Sequence, residues 1–106
     1  MKYELVKKLR DAGFPYDWQD FDNHFPDLLV VNWDIYSKFY SPTLSEIIEA
    51  CGENIKNIDF VHGMNLFIAY SMESLDKKGE GITTEEAIAN LWLELNKDIS
   101  SKITEL

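Results

Sequence analysis

The sequence predicts an α+β fold: a small antiparallel sheet of one or two hairpins packed by three helices, in the order α, ββ, α, ββ, α. Three observations predict it. Apolar residues recur at helical spacing near the start, in the middle and near the end. Two short runs rich in β-branched and aromatic residues flank His62-Gly63-Met64-Asn65, and glycine or a helix-capping pair marks most of the boundaries between segments.

The first helix is expected over residues 2 to 12, with Leu5, Val6, Leu9 and Ala12 on one face. Gly13 can take the left-handed conformation after its last turn, Phe14 can fold back on it, and Pro15 forbids continuation. Residues 14 to 27, FPYDWQDFDNHFPD, hold neither period and read as a loop with an extended portion. DLLVVN (27 to 32) and DIYSKFY (34 to 40) read as a pair of strands turning around Asn32, Trp33 and Asp34.

The middle helix begins in SPTLSEIIEACG. Thr43 and Glu46 have capping-box spacing, Leu44, Ile47, Ile48 and Cys51 share a face, and Gly52 ends it. NIDFV (57 to 61) and LFIAYSM (66 to 72) form the clearest hairpin. Leu66, Ile68, Tyr70 and Met72 alternate with Phe67, Ala69 and Ser71, which predicts one strongly apolar sheet face and a second that is partly covered. ESLDKKGEG reads as a polar loop. In the last helix Thr83 and Glu86 repeat the capping box, and Ile82 is placed to staple against Ala87. Ile88, Leu91, Trp92, Leu95 and Ile99 form its core stripe; Leu93 projects about 140° from Ile88, outside that stripe. Ala89, Leu93 and Asn96 are therefore a candidate edge for a homodimer or other protein contact.

With 106 residues, 45% apolar, the chain is expected to be one domain over residues 1–106. The formal net charge is −9. Between Asp11 and Asn54 the only cation is Lys38, against Asp11, Asp17, Asp20, Asp22, Asp27, Asp34, Glu46, Glu49 and Glu53. Such a surface repels a phosphate backbone, so direct nucleic-acid binding is not expected, and the basic first helix is where it would have to occur. No run approaches the roughly 18 apolar residues of a membrane span, and MKYELVKKLRDAG lacks the apolar core of a secretion signal. A single cysteine, Cys51, on an apolar helical face reads as a buried structural thiol. A cytoplasmic protein is expected.

Two segments are similar to a group of small uncharacterised proteins of phages and prophages, notably of gut bacteria. They are Pro42-Thr43-Leu44-Ser45-Glu46-Ile47-Ile48-Glu49-Ala50-Cys51-Gly52 and Gly81-x-Thr83-x-Glu85-Glu86-Ala87-x-Ala89-x-Leu91-Trp92-Leu93-x-Leu95-Asn96-Lys97. Those proteins carry patterns like PTLSELIEACG and TPEEAVANLWLALNK, and the opening ELVKKLRDAGFP resembles their first helix. The likeness departs between Tyr16 and Ser41. It implies a phage-derived accessory protein and no particular activity. A strand hairpin followed by T-x-E-E-A also resembles HicB-type antitoxins, which bind a toxin and often dimerise.

No nucleophile elbow, glycine-rich phosphate loop, H-E-x-x-H or C-x-x-C is present, and two histidines and one thiol offer little for catalysis. An enzyme is not expected, nor a cofactor. Asp20, Asp22 and His24 alternate as oxygen and nitrogen donors could in a metal-dependent enzyme, although Phe25 and Val31 break the calcium-loop pattern. Trp18, Asp20 and Asp22 also suit an acidic, aromatic docking segment. A protein-binding role is therefore expected, with an acidic mimic of nucleic acid that occupies a host DNA-binding protein as the alternative and the metal enzyme as a third reading.

Overall fold

The computed structural model describes residues 1–24, 33–72 and 77–105, and within these the side chains of all but His24, Tyr36, Lys38 and residues 97–105. The described elements are α1 (Tyr3–Asp11), α2 (Gln19–His24), α3 (Trp33–Tyr40), α4 (Leu44–Cys51), a 3-10 turn (Gly52–Asn54), β1 (Ile55–Val61), β2 (Leu66–Ser71), β3 (Lys78–Gly81) and α5 (Thr84–Glu105). The fold is α+β, with a three-stranded antiparallel sheet in the order β1-β2-β3. Residues 1–43 and 44–106 form two compact units.

In the first unit α1 ends as its sequence dictates. Gly13 takes φ +82°, its N–H donates to Arg10 O at 3.1 Å and the Phe14 N–H to Leu9 O at 2.9 Å, the paired bonds of a Schellman motif. Phe14 and Leu9 are both buried, which supplies the apolar contact that accompanies this stop. Residues 14 to 18 are loop as expected, but residues 19 to 24 are helix. The Asp17 carboxylate accepts from the Gln19 N–H at 3.1 Å, an Asx turn that starts α2, and Phe21 on that helix is buried. DIYSKFY is not a strand but most of α3, whose buried Trp33 donates its indole N–H to Met1 O at 2.7 Å. The expected strand DLLVVN lies outside the described residues.

Val6, Phe21 and Trp33 form the core of this unit, packed by Met1, Tyr3, Trp18 and Tyr40. The rings meet edge to face: Phe21 with Trp18 at 5.6 Å and Tyr3 with Trp33 at 5.5 Å between centroids. Burial pushes the Tyr3 phenol above its ordinary range.

In the second unit the expected hairpin forms, Val61 pairing with Leu66. Its turn is held by Met64 N–H to Val61 O at 3.2 Å, and Asn65 rather than Gly63 takes the positive φ, +52°. The tail of the polar loop is a third strand: Phe67 pairs with Gly81 and Ala69 with Gly79. Helix α5 packs on β3 and β2, and α4 packs on α5. A β-carbon on Gly79 would lie 2.1 Å from Ala87 O and 2.2 Å from Leu91 N. The helix backbone therefore rests directly on this strand, and the covered sheet face is the small-residue row Ala69, Ser71, Gly79 and Gly81, all buried. Asn90 fixes the seat by donating to Glu80 O at 2.7 Å.

The capping box at the start of α5 forms with one change. Thr83 Oγ1 accepts from the Glu86 N–H at 3.2 Å, while the Glu86 carboxylate reaches the Ile82 N–H at 3.3 Å. Ile82 remains mostly exposed, so the expected staple against Ala87 does not hold this junction. Glu86 does so, from beside the positive end of the helix.

Candidate functional site

Edge strands expose unpaired backbone groups, and native folds blunt them with bulges and charges. The outer side of β1 is such an edge, with no strand beyond it among the described residues. Its first half is blunted. Ile55 pairs with Ser71 and Asn57 with Tyr70, which leaves Lys56 as the extra residue of a bulge. That bulge brings Lys56 beside Asn57, Asp59 and Tyr70, which line an open depression of about 240 Å³. The Asn57 amide donates to the Asp59 carboxylate there at 3.0 Å.

The second half of β1 has no bulge, and its one charge is Asp59. Ile58 pairs with Ala69 and Phe60 with Phe67, so both side chains point to the face that bears α5, yet they are 37% and 38% exposed. The Phe60 ring lies 4.8 Å from Phe67 and 4.8 Å, edge to face, from His62. Met64 at the hairpin tip is largely exposed. A short aromatic and aliphatic rim thus borders the outer edge of β1, which no strand pairs among the described residues. The sequence reading missed it because N-I-D-F-V alternates as any half-buried strand does. Only the strand order reveals that β1 is at the edge.

The residues expected to form a surface are distributed differently. Ala89 has no exposed area, which removes it from any edge, and Leu93 is half-buried. Asn96 donates to Trp92 O at 2.8 Å, a bond within its own helix. In the first unit the half-buried Trp18 donates its indole N–H to Phe14 O at 2.9 Å. Asp20 and Asp22 are exposed on α2, and helical geometry turns residues two apart about 200° from each other. Asp22 accepts from Arg10 Nε at 2.6 Å, a bond that raises the Arg10 pKa, and Arg10 also reaches Asp11 at 3.0 Å. This pairing occupies one of the three cations of α1, Lys7, Lys8 and Arg10. His24's side chain lies outside the described residues. No group of three metal-binding side chains occurs among the described residues.

Cys51 is buried, its Sγ 3.9 Å from Ile88 O, and burial pushes its pKa up from 9.0 to about 11. The neutral thiol is therefore the form the fold holds. Two consequences are expected. A thiol reagent at pH 8 leaves Cys51 unmodified until denaturant is added, as absorbance of the released chromophore will report. Because the folded pKa exceeds the unfolded one, the folded chain binds more protons between about pH 9 and 11, and the thiol's contribution makes stability fall as pH rises across that window. Cys51→Ala removes the thiol's part of this decline, which urea titrations at pH 8, 9 and 10.5 will measure.

The fold places this chain among small α+β proteins with a helix-covered antiparallel sheet. No protein-family model, curated protein or solved structure matches it. Among the described residues, no helix is long and apolar enough to cross a membrane.

Proposed function

We propose that the chain is a phage- or prophage-derived accessory protein that acts by binding protein, using the outer edge of β1. The carrying observation is the second half of that strand, where Ile58 and Phe60 stay exposed along an edge that no strand pairs among the described residues. An extended partner segment adds to such an edge through main-chain hydrogen bonds and takes its specificity from alternate side chains. The phage origin rests on the resemblance of residues 4–15, 42–52 and 81–97.

One observation favours the acidic mimic as a second reading: Glu46, Glu49 and Glu53 are all exposed around α4. Row-like carboxylates can imitate phosphates, and their contacts weaken steeply with salt. The two readings separate in one experiment, affinity capture from host lysate at low and high salt with wild type and Phe60→Lys. Capture that survives salt and is lost in Phe60→Lys is the expected result. Capture that disappears with salt and ignores Phe60 assigns the acidic face instead, and no specific capture by either route overturns both.

A further inference from the structure

We propose that the segment taken up along β1 is a basic, extended stretch of another protein, with Lys or Arg set between two apolar residues. The proposal rests on the reading of the β1 edge as a protein-binding surface and adds the chemistry of what binds there. The order of side chains along the strand and the charge around them carry it.

In an antiparallel ladder half of a strand's backbone groups turn toward its neighbour and half turn away, so the outer side of β1 can pair again. A segment added there sets each of its residues opposite one on the same face. The ladder with β2 is regular only from Asn57 to Val61, past the Lys56 bulge. A segment that keeps clear of the kink therefore meets Ile58, Asp59, Phe60 and Val61, all within β1. Ile58 and Phe60 lie on the face that bears α5, with Asp59 between them on the other face. Two partner residues, two apart, thus come opposite exposed apolar side chains and are matched by apolar ones. The residue between them comes opposite Asp59, where an acid is destabilising and a base is favourable.

Charge sharpens that choice. Asp59 is the one acid of β1, and it is exposed. Among the described residues its carboxylate accepts only from the neutral Asn57 amide, and Lys56, across the same depression, makes no ion pair with it. Its charge is left for a partner. The formal net charge of −9 acts in the same direction at longer range, drawing in a basic segment and holding off an acidic one. Salt screens these two terms, while the main-chain bonds and the contacts to Ile58 and Phe60 remain, so binding weakens with salt without disappearing.

Amide chemical-shift titration of the full chain with two end-blocked peptides, TVKVT and TVEVT, tests this. Both read the same in either direction, so the direction of the added strand does not matter. Shifts centred on β1 are expected, with TVKVT bound roughly five- to tenfold more tightly than TVEVT at low salt. Asp59→Asn should remove the preference, Asp59→Lys should reverse it, and Phe60→Ala should weaken both peptides alike. Equal binding of the two peptides, tighter binding of TVEVT, or a preference that Asp59→Lys leaves unchanged overturns the basic partner; the edge keeps its binding role if that binding still depends on Phe60. A concentration-dependent dimer that Phe60→Ala dissolves and TVKVT cannot displace makes a second copy the occupant and overturns the proposal. No shift on β1 with either peptide at millimolar concentration overturns the binding role of the edge as well.

Discussion

Replacing Gly79 by alanine is expected to destabilise the second unit by about 1 to 3 kcal/mol or more, the usual cost of overpacking a well-packed site. The reason lies in what the methyl would meet. Ala87 O and Leu91 N, 2.1 and 2.2 Å from the added carbon, are backbone atoms of α5 and cannot rotate away as a side chain could. The helix would have to lift off β3, straining the bond from Asn90 to Glu80 O. A loss of this size lowers the melting temperature of a small domain by several degrees per kcal/mol. Thermal unfolding followed by far-ultraviolet circular dichroism will measure it. Gly63→Ala is the control, since nothing lies within 4 Å of its added carbon, and it should melt within about 0.5 kcal/mol of wild type. A Gly79→Ala chain that melts as wild type does would mean that β3 is not seated against α5.

Phe21→Ala is expected to cost about 3 to 5 kcal/mol in the first unit. Phe21 is 1% exposed, and its ring contacts those of Tyr3, Trp18 and Trp33. Truncation leaves a cavity among aromatic groups, two of them anchored by indole hydrogen bonds to Phe14 O and Met1 O. The near-ultraviolet dichroism of these rings should collapse in parallel with the drop in urea midpoint. Phe39→Ala, on an exposed residue of α3, should change both by much less. Equal effects from the two substitutions would refute the assignment of Phe21 as the centre of this core.

The elements that could be read from the sequence are those whose local signals and packing agree. Gly13 followed by Pro15 stopped α1, Thr83 with Glu86 started α5, and the hairpin turned at His62 to Asn65. The misreadings arose where packing overrode propensity. DIYSKFY has β-forming residues, yet Trp33 and Tyr40, seven apart, pack on one side of a helix while Ile35 and Phe39, four apart, face outward. Its spacing suited both periods, and the core decided. KGEG reads in sequence as the end of a polar loop, whereas in the fold Gly79 and Gly81 are what lets a helix approach the sheet. The candidate site was the least legible part. Ile58 and Phe60 look in sequence like inward residues of an ordinary strand, and Ala89 looks like a possible surface residue. Strand order leaves the first two partly uncovered at the edge of the inward face, and helix rotation buries Ala89.

The placement of the indoles has an optical consequence. Trp18 and Trp33 belong to the aromatic core of residues 1–43, and Trp92 is buried in α5 of the other unit. With three tryptophans in all, Trp92→Phe leaves a chain whose tryptophan emission comes from the first unit alone. The double change Trp18→Phe and Trp33→Phe leaves a single emitter in the second. Each half of the molecule thus carries its own built-in fluorophore, and unfolding of the two can be watched separately without any attached dye.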